Sequence, residues 1–300
     1  MNESTTGDTD PYVQVRRRIE AATTAWARGM TLAEIRESFE HFLGDSGAAP
    51  EVRRTALNLA GLQACAFDPP GGVPRRTLLY CHGGGFQIGS VRSHADLMAR
   101  IAAASGARVL GFNYRLAPEH RFPAAHDDVF AAYAALVEAD EVPLALMGDS
   151  AGGALALGTA MRARDAGLPL PKALVLLSPW LDLTMSGESY TALADKDIFS
   201  TPAQLRAMAR CYLGRDNPPS NLAASPVLGD LASLPAMLVH AGGYDITLDD
   251  SHLLARSVVA QGGQIEVEVF EAMYHHFQVF EELPEAQISL ARIGAFIRTL

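Results

Sequence analysis

Gly148-Asp149-Ser150-Ala151-Gly152 lies between a short apolar run, Leu144 to Met147, and an Ala-rich run, Ala154 to Ala163. That is a strand, a tight turn and a helix, with a serine at the turn. Such a serine sits on strained backbone, and its hydroxyl stands above the sheet. Glycines flank it because a Cβ at either position would strike neighbouring backbone. The helix that starts just after Ser150 brings the positive end of its dipole to the same spot, where it favours a developing oxyanion.

A nucleophilic hydroxyl needs a base, a group to orient the base, and donors for the oxyanion. The strand-like run Thr77 to Cys81 ends in His82-Gly83-Gly84-Gly85-Phe86. Three glycines let the backbone turn its N–H groups outward into an anion-binding nest. The expected oxyanion donors are the N–H groups of Gly83 and Gly84, with that of Ala151, while His82 shapes the loop and is not a base. The acid belongs after a later strand, and Leu238 to Ala241 leads through Gly242-Gly243-Tyr244 to Asp245. Asp249 and Asp250 open the following helix, where they favour its dipole. The base comes last. Ile265 to Phe270 runs into Glu271-Ala272-Met273-Tyr274-His275-His276-Phe277, which delivers two adjacent histidines. Serine, acid and histidine in this order, each past a strand end, follow the order of the α/β-hydrolase fold.

The elements that must position these residues alternate. Strands are expected at 77–81, 108–114, 144–147, 173–178, 236–241 and 265–270, with helices between them, including 95–105 and 127–138. Continuous apolar runs such as Ala173-Leu174-Val175-Leu176-Leu177 mark parallel strands buried on both faces. The expected fold class is α/β: a doubly wound, mostly parallel sheet with right-handed crossovers and a helical cap. Two further β segments are expected at 52–59 and 62–67, before the turn 68–72. Upstream, 12–27 and 32–43 carry apolar residues at helical spacing, Thr31 and Glu34 forming a capping box, with a linker at 44–50 and disorder over 1–10. Residues 186–221 break the alternation and contain a helix near 202–213. This insertion lies over the carboxyl ends of the strands, where such sheets bind ligands. The division is an N-terminal helical cap segment, 1–50, and a core, 51–300, with the cap insertion at about 186–221.

Composition narrows the field. The 300 residues carry a net charge of −10, and the longest basic run is Arg16-Arg17-Arg18, which argues against nucleic acid or an anionic membrane as partner. Three cysteines, Cys65, Cys81 and Cys211, lack metal-ligand spacing, so neither a disulfide framework nor a zinc site is expected. No metal or cofactor is called for. No apolar run reaches the roughly 18 residues needed to span a bilayer. Met1 to Asp10 has no secretory-signal pattern, and the expected setting is the cytoplasm.

His82-Gly83-Gly84-Gly85 together with Gly148-Asp149-Ser150-Ala151-Gly152 resembles the hormone-sensitive-lipase-like family of esterases. Asn113-Tyr114-Arg115-Leu116-Ala117-Pro118-Glu119-His120, Arg121-Phe122-Pro123-Ala124-Ala125 and Ser178-Pro179-Trp180-Leu181-Asp182 extend the match over roughly residues 50–300. The resemblance implies that Asp245 is the acid of the triad. It also implies that the base stands two residues before an aromatic and a polar residue, here Phe277-Gln278, which selects His275. His276 is then expected to face solvent or the pocket rim, adding at most a second titration near pH 6.5. Two positions depart from the family pattern: His276 where a small residue is frequent, and Tyr274 where proline is. The N-terminal helices and 186–221 look like the family's cap. Family members often pair through the last strand and helix, here 265–300, which leaves a homodimer as an open expectation.

The implied activity is hydrolysis of a small-molecule carboxylic ester through an acyl group on Ser150. Two other classes stay in view. One is a tailoring enzyme of the same fold, opening or closing a lactone, dehydrating or transferring an acyl group; the other is a ligand receptor without catalysis. Trp26, Phe39, Phe199, Met208 and Tyr212 either line an apolar acyl pocket or simply fill the cap.

Overall fold

The apolar runs form the centre of an eight-stranded sheet, because strands with no polar face must be covered on both sides. The computed structural model describes residues 10–44, 47, 49–71 and 76–300. Most of the stretch expected to be disordered, parts of the linker at 44–50 and the end of the turn at Gly72 lie outside the described residues. Asp10 is described, and its carboxylate accepts the Tyr12 N–H at 2.9 Å as the cap of the first helix.

In chain order the elements are helices α1 (Pro11–Ala27) and α2 (Leu32–Leu43), the hairpin β1 (Arg53–Leu59) and β2 (Leu62–Asp68), then β3 (Thr77–Cys81), α3 (Ala95–Ser105), β4 (Arg108–Phe112), α4 (Ala124–Glu138), β5 (Ala145–Asp149), α5 (Ala151–Asp165) and β6 (Ala173–Leu177). There follow the short α6 (Ser189–Ala192), α7 (Pro202–Leu213), β7 (Ala236–Gly242), α8 (Leu248–Ala260), β8 (Ile265–Phe270) and α9 (Pro284–Thr299). The sheet order is β1-β2-β4-β3-β5-β6-β7-β8, with β1 and β2 antiparallel and every pairing from β4 to β8 parallel. Side chains alternate across it. Leu79, Leu146, Leu174 and Leu176 meet α4, α5 and α8, whereas Leu78, Tyr80, Met147 and Val175 meet α3 and α9.

The expected elements are present with shifted ends. Helix α5 begins at Ala151, just after Ser150 as expected, and so takes in two glycines ahead of the Ala-rich run. Gly152 and Gly153 lower intrinsic helix propensity there, yet both are buried in tight packing that overrides it. Strand β4 stops at Phe112; the Asn113 N–H still reaches the Gln63 carbonyl of β2 at 2.8 Å, while its side chain accepts the Val91 N–H. Helix α2 has the Thr31–Glu34 capping box.

The two N-terminal helices rest on loops at the carboxyl ends of the strands. Val15 and Ile19 of α1 are buried against Phe270, Met273, Tyr274 and Phe277, the segment that follows β8. Phe39 and Leu43 of α2 are buried against Ile88, just beyond the glycine loop. Arg36 of α2 binds the carbonyls of Gln87 and Ala117 and pairs with Glu119 at 2.7 Å. No helix among the described residues is long and apolar enough to cross a membrane.

Candidate active site

Strand β5 turns into α5 through one residue, Ser150, at φ 52° and ψ −123°. Left-handed backbone at a residue with a Cβ costs on the order of 1–3 kcal/mol, so the surroundings must hold it. They do so through hydrogen bonds from Ser150 N–H to the Leu177 carbonyl (2.9 Å) and from Trp180 N–H to the Ser150 carbonyl (3.0 Å). The flanking glycines are required by close approach. A Cβ on Gly148 would lie 2.4 Å from the Gly152 carbonyl, and one on Gly152 would lie 2.1 Å from the Cys81 oxygen of β3.

The loop after β8 carries His275 to this serine, and the loop after β7 carries Asp245 to the histidine. Ser150 Oγ and His275 Nε2 are hydrogen-bonded at 2.9 Å, and His275 Nδ1 donates to Asp245 Oδ2 at 2.9 Å. The other carboxylate oxygen of Asp245 accepts the Thr247 N–H and hydroxyl, each at 2.8 Å. All three expected residues thus lie in one hydrogen-bonded line, and Asp245 is fully buried. Burial opposes charge on Asp245, but the His275 ring and Thr247 hold its carboxyl below the usual carboxylate range. Burial likewise opposes charge on His275, yet the Asp245 carboxylate outweighs it and lifts the ring to about 9.

Asp249 and Asp250 do start α8, but they do more than favour its dipole. Asp250 is buried, accepts the N–H groups of Leu181 and Asp182 at 2.7 and 2.9 Å, and binds the Tyr190 hydroxyl. Asp249 accepts the Ser189 N–H at 2.8 Å. The pair anchors the chain that leaves β6. Asp197 is a further buried carboxylate that the sequence reading missed. It accepts N–H groups from Phe199, Ser200 and Ile246 and so ties the 186–221 segment to the Asp245 loop. Burial, then the nearby Asp245 charge, pushes its carboxyl well up.

The glycine loop corrects one expected donor. Gly83 N–H is already committed to Asp149 Oδ1 at 2.9 Å, beside the Tyr80 hydroxyl at 2.8 Å. The N–H groups of Gly84 and Gly85 make no such bond, and both residues line the cavity with Ser150. Gly84 sits at φ +114°, a conformation that other residues rarely adopt. Ala151 is the first residue of α5, so its N–H has no intrahelical acceptor. His82 is buried and neutral, its pKa lowered to about 3 by burial, and it stacks on Tyr114 with ring centroids 4.2 Å apart.

A cavity of about 530 Å³ opens on Ser150, His275 and the two glycines. Its walls come from α1 and α2 (Trp26, Ile35, Phe39), from Phe199, and from α7 (Leu205, Met208). Four of the five aromatic and Met candidates therefore line it. Tyr212 does not; it is buried beneath, stacked on Phe86 at 3.9 Å. The placement expected for His276 is wrong in one respect. The ring lines the cavity but is only 3% exposed, wedged edge-on against Phe199 with centroids 4.7 Å apart. Burial lowers its pKa to about 3, so no titration near pH 6.5 arises from it.

A family model described as the alpha/beta hydrolase fold matches residues 78–279. An acetyl-hydrolase of Streptomyces hygroscopicus is 41% identical over 227 residues, 75% of this chain and 76% of that protein. An esterase of Acinetobacter venetianus is 32% identical over 84% of each chain. The crystal structure of an esterase from the bacterial hormone-sensitive lipase family superposes with a TM-score of 0.92 at 38% identity, covering 96% of this chain and 97% of that one. The chain belongs to the hormone-sensitive-lipase-like family of the α/β-hydrolase fold. Membership makes it a hydrolase-fold enzyme related to esterases and leaves the roles of individual residues to be argued from their geometry.

Proposed function

We propose that this enzyme hydrolyses small carboxylic esters through an acyl-enzyme on Ser150. The observation that carries the reading is the unbroken line from Ser150 Oγ through His275 to Asp245, with both distances at 2.9 Å. The Ser150 oxygen attacks the ester carbonyl carbon while its proton passes to His275 Nε2. Asp245 fixes the tautomer that leaves Nε2 free to accept, and it stabilises the imidazolium that forms. The carbonyl oxygen, now an oxyanion, is met by the N–H groups of Gly84, Gly85 and Ala151 at the positive end of α5. His275 returns the proton to the departing alcohol. Water, deprotonated by the same ring, then releases the carboxylic acid and regenerates Ser150.

The apolar walls of the cavity suit a short to medium acyl chain, in keeping with the acetyl-hydrolase and esterase relatives. In this reading α1, α2 and the 186–221 segment act together as a lid, because all three supply wall residues while the sheet supplies the reacting groups. The open edge at β8, with Val269 and Ile288 exposed nearby, supports pairing of two copies there.

A p-nitrophenyl ester panel, acetate through octanoate, tests the reading with wild type and Ser150→Ala. Rapid turnover that vanishes in the variant supports it. Turnover that survives in Ser150→Ala sinks the nucleophile, and silence of the wild type on every ester favours a receptor or a specialised acyl-transfer reaction.

A further inference from the structure

Behind the elbow three buried donor atoms converge. His94 Nε2 and His276 Nδ1 each lie 3.4 Å from Asp149 Oδ2, and all three atoms fall within 4.8 Å of one another. None of the three makes a hydrogen bond, although each residue is at most 3% exposed. A buried polar atom without a partner costs about 1–3 kcal/mol, so three facing one point call for an explanation.

The partners of the remaining atoms orient this trio. The Ser93 hydroxyl donates to the Ser90 carbonyl at 3.0 Å, which leaves its oxygen to accept from His94 Nδ1–H at 2.9 Å. With a proton on Nδ1, the His94 ring can turn a lone pair on Nε2 toward the carboxylate. Asp149 Oδ1 is occupied by Tyr80 and Gly83, so Oδ2 is the free end of that carboxylate. The inward-turned His276 ring brings its Nδ1 to within 3.4 Å of that same oxygen. A cation between these atoms would accept a lone pair from each of them.

We propose that His94 Nε2, Asp149 Oδ2 and His276 Nδ1 form a binding site for a divalent transition metal ion of the zinc class, and that occupancy inhibits the enzyme. Two imidazoles and one carboxylate match the donor preference of zinc, and bonds of about 2.0–2.1 Å to such atoms imply a ligand–ligand edge of about 3.4 Å in a tetrahedron. Two edges of the trio already have that length. The third closes by movement of the His276 loop. The other ring nitrogen of His94 is held by the Ser93 hydroxyl at 2.9 Å, with the Ser90 carbonyl at 3.3 Å, which fixes the ring as outer partners fix a metal-ligating histidine. Three protein donors leave one position open, and His276 lines the cavity, which gives the ion a route in from solvent.

Inhibition follows from position. Asp149 precedes Ser150 and pins Gly83 of the oxyanion loop, so an ion on Oδ2 pulls on the grip that shapes that loop. Its charge also stands beside His275, whose ring centroid is 5.2 Å from that of His276. There it disfavours the imidazolium that must form as Ser150 attacks. Binding does not depend on the ester-hydrolase reading, whereas inhibition rests on it.

The test titrates the purified protein with Zn²⁺ by calorimetry and with Co²⁺ by visible absorption, alongside His94→Gln and His276→Gln. The expected result is one equivalent bound, an intense tetrahedral cobalt band, and loss of ester turnover that a chelator restores. Either variant should weaken binding by more than the roughly 10–100-fold that loss of an outer partner costs. No binding to wild type, a cobalt spectrum like that of the free aqueous ion, or wild-type affinity in both variants overturns the site. Should a variant fail to fold, the wild-type cobalt spectrum decides. A filled site with an unchanged turnover rate overturns the inhibition, and wild type inert on every ester points instead to failure of the functional reading.

Discussion

The cleft has two walls of different make. Ser150, Asp245 and His275 hang from the ends of parallel strands, each no more than 7% exposed. Opposite them, Trp26, Ile35, Phe39 and Met208 project from helices whose other faces meet solvent. On the first wall, backbone geometry dictates position: the strained turn at Ser150, the crowding at Gly148 and Gly152, and carboxylates that bind N–H groups. On the second, position depends on side chains that can be exchanged singly. On the proposed function, reaction type and substrate range are held by separate parts of the chain. The sheet wall should fail abruptly under substitution, and the helical wall should drift.

The largest effect expected is on the sheet wall. Ser150→Ala should lower kcat by about 10⁶ with little change in melting temperature, as removal of a triad nucleophile does elsewhere. Retention of wild-type kcat on p-nitrophenyl acetate would break the comparison at its root. Asp245→Asn should cost about 10⁴ in kcat by presenting the wrong imidazole tautomer. Asp249→Asn, four residues on, removes only an anchor for Ser189 and should leave kcat within a few-fold, as measured on the same ester. A reversed ranking of those two would reassign the acid.

On the helical wall, Trp26→Ala should shift the hexanoate-to-acetate ratio of kcat/KM by about tenfold, the scale of one or two methylenes in an apolar pocket. An unchanged ratio across the ester panel would show that α1 does not bound the acyl site. The smallest effect concerns pH. His275 must be neutral to accept the serine proton, and its pKa is raised to about 9. The reaction should therefore be slow at neutral pH and rise through an apparent pKa of about 9. Asp197 contributes to that rise, so Asp197→Asn should move the kcat/KM profile toward lower pH. A shift in the opposite direction would mean that its charge does not act on the ring.

Much of the sheet wall was legible in the sequence because its signals are local. A glycine-flanked serine between a strand and a helix, or an aspartate just past a strand end, needs only its neighbours to be read. What escaped depends on partners far along the chain. Which N–H of the glycine loop is free was not readable, since Gly83 is claimed by Asp149 66 residues away. Asp250 looked like an ordinary first-turn acid because the N–H groups it serves belong to Leu181 and Asp182. Asp197 carried no motif at all. His276 was misplaced for a related reason. Loop residues have no periodicity to say which way a ring points, and φ +37° turned this one inward toward Asp149 and Phe199.

The seating of α1 has a consequence for how the chain is made. Its buried face, Val15 and Ile19, rests on residues from Phe270 to Ala286, and the Tyr12 hydroxyl reaches Glu285, 273 positions away. A ribosome therefore releases this helix long before the surface it must cover exists. Its apolar stripe can dock in this way only once residues 270–286 have emerged. The segment that α1 waits for is also the one that carries His275. A nascent chain stalled upstream of Phe270 has neither His275 nor the surface that covers Val15 and Ile19.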